Sequence, residues 1–328
     1  MSGCATQGTP GYSMVGRRVT ELILHHYDFS NFSEKIRLIM GLKTLRWSSV
    51  EIPAYEPKPL YTPLTAGYRR TPALQIGADI YCDTRLIAEV LEARAPVPTL
   101  FPGSQRLTKA RCETLRAWAE IEIFWPVALY ATGTQADKFP PEFHADRAHL
   151  HRKPQPTIEQ VKAAAPRYRA SVCEQLPWIE DLLSDGADFL LGDAISLADF
   201  MVYLAPWFLE LIDPDNTWLA EQPLTVAWMQ RVAGIGHGDR HDIDANAALE
   251  IARNNDPLPL STAAYEIPEG LALGDMVEVR PATESSPATG LLVAVDEHRL
   301  SIAYAHERVG NVHVHFPRLG YQLRPARI

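Results

Sequence analysis

The stretch ELILHHYDFSNFSEKIRLIMGL, residues 21–42, holds three successive patterns that together indicate an α/β unit. Residues 21–24 form a short apolar run, which is typical of a buried strand. A polar turn follows at residues 25–31. From Phe32 to Leu42 apolar residues recur at helical spacing with charged residues between them, which predicts a helix. The segment therefore predicts a strand, a turn and a helix.

The rest of the first domain alternates between strands, a loop and a helix. Its predicted elements are, in order, a strand at residues 47–52, a Pro- and Gly-rich loop from Pro53, a hairpin of residues 71–76 and 79–82, and a helix from Thr84 to Ala95 capped by Asp83. The order β-α-β-loop-β-β-α indicates a small mixed α/β domain. We place it at residues 19–102, after a flexible tail at residues 1–18.

Beyond residue 102 the sequence predicts helices only, over residues 103–255. The predicted helices cover residues 105–131 with a kink at Pro126, then 158–183, which Pro166 and Pro177 could interrupt or bend, and 196–211, 219–232 and 244–253. Residues 133–156 are polar and Pro-rich, which predicts a long surface loop. A linker rich in Pro, Ser and Ala, residues 256–267, ends this domain.

In the last segment, residues 268–328, the hydrophobic period changes to two. Five alternating runs separated by Gly-containing turns predict strands at residues 276–280, 290–296, 300–305, 311–316 and 321–324. This spacing predicts a small all-β barrel that resembles an SH3-like fold. A segment of this length is marginal as an independent domain, so we expect it to pack against the others.

The composition disfavours several classes of protein. With 31 Lys and Arg against 40 Asp and Glu the formal net charge is −9, so we expect no nucleic-acid partner. No charge-free apolar run approaches the roughly 18–20 residues of a membrane span, so we expect no membrane partner. The 4 cysteines lie far apart without a C-x-x-C pair. That spacing predicts neither a disulfide scaffold nor a zinc site and favours the cytoplasm.

Ser30 is the first candidate for chemistry, because it lies just before the predicted N-terminus of a helix. Backbone N–H groups and the helix dipole favour an anion there. A serine hydroxyl in that position can donate a hydrogen bond to a thiolate and lower the pKa of the thiol. The alternative is that Ser30 or Ser33 only caps the helix. Tyr27 offers a second hydroxyl nearby.

Two further positions could bind a ligand. Pro72 begins a strand without an amide donor, and a cis peptide bond there would leave the backbone of Thr71 free to pair with an extended, peptide-like ligand. Asp83 and Thr84 begin a helix, where the threonine could hold a carboxylate and the aspartate an ammonium group. The alternatives are an ordinary loop proline and a simple helix cap.

Three motifs, in this order, resemble those of the glutathione transferase superfamily: FSNFSEKIR (residues 29–37), RRTPAL (69–74) and CDTRLI (82–87). The run ISLAD (195–199) resembles the family's S/T-x-x-D capping motif in front of a buried helix. The resemblance covers about residues 20–255. It implies a thioredoxin-like α/β domain followed by an all-helical domain, with glutathione as co-substrate, no metal and a homodimer.

The resemblance also assigns roles to individual residues. Ser30 falls on the catalytic position. The positions that contact glutathione in the family fall on Arg70, Thr71, Pro72, Asp83, Thr84 and Arg85. The substrate pocket, between the two domains, falls near Tyr27, Phe29, Trp125 and Tyr130.

The implied activity is that of a glutathione transferase, in which Ser30 activates the glutathione thiol for attack on a small apolar electrophile. A serine at position 30 favours transferase or isomerase chemistry over thiol–disulfide exchange. A glutathione-dependent isomerase or dehalogenase, and a non-catalytic binding or adaptor protein, are alternatives. The sequence departs from the family pattern at Asn31, where proline is frequent, at Thr84, where serine is usual, and throughout residues 268–328.

Overall fold

The computed structural model describes residues 21–215, 217–260, 265–282 and 287–326. The flexible tail predicted at residues 1–18 lies outside these ranges, as do residues 261–264 of the predicted linker.

The first unit has the predicted order of strands and helices. It consists of β1 (Ile23–His26), α1 (Asn31–Leu42), β2 (Arg46–Glu51), β3 (Ala73–Ile76), β4 (Asp79–Cys82) and α2 (Thr84–Arg94). Strand β1 pairs parallel with β2 and antiparallel with β3, which in turn pairs antiparallel with β4. Every residue of β1, β3 and β4 is buried, because both faces of this part of the sheet are covered.

The second unit is helical. Its elements are α3 (Gln105–Ala117), α4 (Phe124–Thr134), α5 (Pro141–Leu150), α6 (Ile158–Ala164), α7 (Pro166–Gln175), α8 (Pro177–Leu182), α9 (Leu197–Val202), α10 (Leu204–Ile212), α11 (Pro223–Ala233) and α12 (Ala245–Arg253). The capping motif forms as the sequence predicts: Ser196 N donates to Asp199 Oδ2 over 2.8 Å. Trp228 Nε1 donates to the other oxygen of Asp199 over 3.0 Å, which anchors α11 to this turn.

Helices α7 and α8 begin at the two prolines that could interrupt the predicted helix at residues 158–183. Other details differ from the prediction, since residues 196–211 are divided into α9 and α10. A π-helical turn at Trp118–Ile123 joins α3 to α4, so the irregularity in this stretch precedes Pro126. Helix α5 forms inside the predicted surface loop, where Pro141 occupies its first turn and Phe143 and Leu150 are buried. The two buried apolar residues lie two helical turns apart on one face, but the polar and small residues between them give too weak a period to predict a helix.

The C-terminal strands form a β region consistent with a small barrel. They are β6 (Met276–Pro281), β7 (Ala288–Val295), β8 (Arg299–His306), β9 (Gly310–Pro317) and β10 (Tyr321–Pro325), in the spatial order β10-β6-β7-β8-β9, with every neighbouring pair antiparallel. Strand β9 also pairs parallel with β4. A further strand that the sequence did not predict, β5 (Asp239–Asp242), pairs parallel with β2. Within the described ranges, the result is one 10-stranded sheet.

Two hydrophobic cores hold the units together. One contains Leu24 and Leu74 of the sheet together with most of the buried residues of the helical unit, but none of those of α12, which belong to the other core. The other contains Ile23 and Ile80 together with the buried residues of the C-terminal strands, such as Val314. Adjacent residues of β1 therefore enter different cores, as the alternation of a strand requires. The C-terminal strands share a core with the first unit.

Candidate functional site

The strand registers bring the three predicted ligand-binding turns to one end of the sheet. His25 of β1 pairs with Ala73 of β3, and Ala73 pairs with Cys82 of β4. Because β3 runs antiparallel to both neighbours, the C-terminal ends of β1 and β4 lie beside the N-terminal end of β3. The turns that carry Ser30, Thr71 and Asp83 follow or precede these ends. They therefore lie close together.

Ser30 is the N-cap of α1, and its side chain is buried. Its Oγ accepts a hydrogen bond from Ser33 N at 3.3 Å and another from Ser33 Oγ at 2.8 Å. Ser30 therefore caps α1, which was the alternative considered from the sequence. Because Ser30 Oγ is the acceptor in both contacts, its own proton is available for a third group at the positive end of the helix.

The turn before β3 contains the predicted cis-proline. The peptide bond between Thr71 and Pro72 is cis, so Pro72 is not the ordinary loop proline that the sequence left as the alternative. Arg70 O accepts a hydrogen bond from Tyr61 OH at 2.5 Å, which ties the turn to the preceding loop. Thr71 is partly exposed, and its Oγ1 accepts a hydrogen bond from Lys58 Nζ at 3.1 Å.

Asp83 caps α2 with a positive φ of 76°. Its Oδ1 accepts from Arg85 N at 2.9 Å, and its Oδ2 accepts from Tyr321 OH at 3.0 Å. Thr84, the first residue of α2, is buried. The Arg85 side chain forms an ion pair with Glu113 of α3, so it joins the first two units.

The predicted pocket residues fall into two groups. Tyr27 and Phe29 pack together with ring centroids 4.7 Å apart, and Phe29 also faces Phe139 and Phe143. Arg147 of α5 donates to Tyr27 OH over 3.2 Å, so this hydroxyl is already an acceptor. In the second group, Trp125 packs against His151, and Tyr130 packs against Trp218 with centroids 4.8 Å apart.

Lys58 is a candidate that the sequence reasoning missed. It lies in the loop between β2 and β3, is 2% exposed, and donates to Arg69 O at 3.0 Å as well as to Thr71. Burial, together with the charges of Arg69 and Arg147, lowers its pKa to about 7. The sequence offers only a lysine within a Pro-rich loop that also contains Glu56, Arg69 and Arg70. That signal does not specify a partner.

A second buried polar cluster lies where β4 meets β9. His315 Nε2 lies 3.0 Å from Asp79 Oδ1, and His315 Nδ1 lies 2.8 Å from Ser301 Oγ. Asp79, His315 and Ser301 are each 1% exposed, so this cluster ties the strands together inside the sheet.

The described residues form neither a metal-ligand cluster nor a membrane-spanning helix. Across the described ranges, no three His, Cys, Asp or Glu side chains come together as they would around a metal ion. In the same part of the chain, the helices are too short or too polar to cross a membrane.

Comparison with known proteins agrees with the motifs. Residues 24–99 match the family described as glutathione S-transferase, N-terminal domain, and residues 129–235 match glutathione S-transferase, C-terminal domain. The crystal structure of a GST-like protein from Pseudomonas syringae is 38% identical, with a TM-score of 0.71; the match covers 94% of this chain and 100% of that one. Coverage this wide includes the region of the C-terminal strands. No curated protein matches the chain.

Other solved structures resemble only part of the chain. A glutathione S-transferase from Rhodospirillum rubrum is 22% identical, with a TM-score of 0.51, over 65% of this chain and 87% of that one. The beta-etherase LigF from a Sphingobium species is 20% identical, with a TM-score of 0.50, over 65% of this chain and 94% of that one. These two similarities show only that the fold is shared. The two family matches and the similarity to the Pseudomonas protein together place the chain in the glutathione transferase superfamily, with an additional β region at its C-terminus.

Proposed function

We propose that this protein is a glutathione transferase that activates the glutathione thiol with Ser30. The observation that carries the proposal is the hydrogen bonding of Ser30 at the N-terminus of α1. Both of its contacts with Ser33 use Oγ as the acceptor, so its proton can be donated to a sulfur atom. A thiolate beside this hydroxyl and the helix N-terminus would have a lowered pKa.

The neighbouring turns support a binding mode for the rest of the tripeptide. Thr71 would pair through its backbone with the cysteinyl residue, with Arg70 and Pro72 forming the same turn. Asp83 would pair with the ammonium of the γ-glutamyl residue and Thr84 with its carboxylate, next to Arg85. The buried Lys58 beside Thr71 would pair with the other carboxylate, which would favour the charged form of the lysine.

The proposed reaction forms a carbon–sulfur bond. The thiol loses its proton to solvent, and the thiolate attacks an electrophilic carbon of a small apolar substrate. The leaving group departs with the electron pair of the bond that breaks. Ser30 holds the sulfur by a hydrogen bond and keeps its own proton throughout. Tyr27, Phe29, Trp125 and Tyr130 are the proposed pocket residues, and no metal takes part.

Replacement of Ser30 by alanine tests this role. We expect the ultraviolet thiolate absorbance of bound glutathione to titrate at higher pH in Ser30→Ala. We also expect kcat/KM for 1-chloro-2,4-dinitrobenzene to fall by about 10²-fold, as when one preorganised donor is lost. Ser184→Ala, at an exposed serine, is the matched control. Unchanged titration and turnover in Ser30→Ala would refute the role.

The stoichiometry of glutathione distinguishes this reaction from isomerisation. A transferase consumes one glutathione per product, whereas an isomerase regenerates it. We further propose that the chain acts as a homodimer in the cytoplasm, as is usual for the family. Light scattering on the purified chain tests the dimer: the expected mass is twice that of one chain.

A further inference from the structure

Tyr321, in the β region outside the family pattern, contacts the proposed glutathione site directly. It is the first residue of β10, and its hydroxyl donates to Asp83 Oδ2 over 3.0 Å. The hydroxyl of Tyr68, from the loop before β3, lies 2.8 Å from that of Tyr321. Because Tyr321 donates to Asp83, Tyr68 is the donor to Tyr321. The three side chains form one directed chain of hydrogen bonds.

The β region is held in place by contacts on both sides of this chain. Strand β9 pairs with β4 from Asp79 to Tyr81, immediately before Asp83. On the other side, Thr289 N donates to Ala66 O over 3.0 Å. The Tyr68 ring packs edge-on against Phe316, with centroids 5.5 Å apart. Tyr321 is therefore fixed relative to Asp83 by backbone pairing as well as by its own hydroxyl.

These contacts fix the orientation of the Asp83 carboxylate. One oxygen accepts from Arg85 N and the other from Tyr321, so the carboxylate is held at both ends. Each carboxylate oxygen has two lone pairs, so each retains one further acceptor position. An ammonium group can use those positions without displacing either donor. Without Tyr321, one end of the carboxylate would lose this donor.

We propose that Tyr321 is a positioning residue for the γ-glutamyl ammonium of glutathione and that the C-terminal β region thereby completes the glutathione site. The proposal rests on the proposed function, because it assumes that Asp83 binds this ammonium group. It gives the β region a part in ligand recognition. It also makes Tyr68 a supporting member of the site through its bond to Tyr321.

Two ligands separate this role from a merely structural one. The first is glutathione, and the second is its des-amino analogue, glutaryl-cysteinylglycine, which lacks only the ammonium group. We expect Tyr321→Phe to weaken glutathione binding by about three- to tenfold in titration calorimetry, the value of one hydrogen bond. We expect the affinity for the analogue to stay within twofold. Tyr304→Phe, at a half-buried tyrosine of β8, is the matched control and should leave both affinities unchanged.

A double-mutant cycle with Asp83→Asn tests whether Tyr321 acts through Asp83. In the Asp83→Asn background, we expect Tyr321→Phe to cause little further loss of glutathione affinity, because the oriented carboxylate is already absent.

Several results would overturn the inference. Equal weakening of both ligands by Tyr321→Phe would indicate a general disturbance of the site, and no change for either ligand would show that Tyr321 is dispensable. In both cases the wild-type affinity for glutathione leaves the proposed function standing. Wild-type protein that binds both ligands equally would show that Asp83 does not recognise the ammonium group. Failure of the wild type to bind glutathione would refute the proposed function and this inference together.

Discussion

The surroundings of Lys58 disfavour the charged form of its side chain. Its ammonium group is buried and donates to one carbonyl oxygen and one hydroxyl. The carboxylates of Glu56 and Asp146 favour its charged form, but burial and the neighbouring arginines outweigh them, so its pKa is about 7. A carboxylate ligand placed beside Lys58 would restore the charged form. Lys58 would then couple ligand binding to proton uptake.

This coupling predicts a pH-dependent affinity. With S-methylglutathione, which has no titrating thiol, we expect the affinity to fall by about tenfold from pH 6 to pH 8, because Lys58 loses its proton over this range in the free protein. Calorimetry in buffers of different ionisation enthalpy should detect proton uptake at pH 8. Lys58→Met should abolish this slope, whereas Lys109→Met, at an exposed lysine, should retain it. A slope that survives Lys58→Met would contradict the assignment.

His25 and His26 predict a loss of stability in acid. Burial is the main cause that lowers their pKa values, to about 4 and about 3. Between those values and the ordinary 6.5, the unfolded chain binds protons that the folded chain does not, so stability is lost as pH falls. From pH 6 to pH 5 we expect the free energy of unfolding to drop by about 2 kcal/mol for the pair.

Urea denaturation at the two pH values measures this loss. His25→Gln keeps a polar partner for Gln75, which bonds His25 Nε2 over 2.8 Å. This variant should therefore show about half of the wild-type loss. An identical pH dependence in the variant would count against the buried, neutral state of His25.

The motif residues of the site could be predicted from sequence because each lies in a short local pattern. Ser30 precedes its helix, Pro72 precedes its strand and Asp83 caps α2, so chain-local rules apply to all three. Lys58 and Tyr321 could not be predicted, because only the packing of a loop and of a distant strand brings them to the site. Their proposed roles, like those of the motif residues, stay predictions.

Among the elements, strand β5 was missed for a clear physical reason. Its sequence, DRHD, has no apolar alternation, and its residues are largely exposed. It forms because the backbone from Asp239 to Asp242 pairs with β2. The turn before it contacts α1 closely: a Cβ added to Gly41 would overlap Gly236 O. Glycine at position 41 therefore permits this contact.

Replacing Gly41 tests the close contact between α1 and the turn before β5. Alanine favours helices by about 1 kcal/mol over glycine. Here we nevertheless expect Gly41→Ala to destabilise the protein by about 1–3 kcal/mol, because the obstacle is backbone. Thermal or urea unfolding measures the change. Gly234→Ala, where the nearest atom to an added Cβ is 3.2 Å away, should be close to neutral. Stabilisation by Gly41→Ala would show that the turn moves freely.

For the whole molecule, the pairing of β9 with β4 makes the C-terminal strands part of a single sheet and a shared core. The sequence predicted the five strands from their period of two. It could not predict this pairing, because the two strands are distant in the chain and nothing local specifies their register. The buried contact between His315 of β9 and Asp79 of β4 helps to specify the register of the two strands.

A shared core predicts cooperative unfolding. We expect the slowest-exchanging amides of β8 and β9 to open with the same free energy as those of β1 and β3, namely that of global unfolding. Native-state hydrogen exchange at increasing denaturant measures these values. Much lower opening free energies throughout β6–β10 would show instead that the region unfolds as an independent domain.

The order of strands also determines what the sheet presents to other molecules. In its first unit alone, β4 would expose a row of unpaired backbone groups flanked by apolar side chains, which invites aggregation. Strand β9 covers that row. Among the described strands, the outer two are β5, made of four charged or titratable residues, and β10, which ends in Arg324 and Pro325. The C-terminal strands therefore cover an aggregation-prone edge strand. The edge strands that remain are charged or end in proline, which disfavours pairing with another chain.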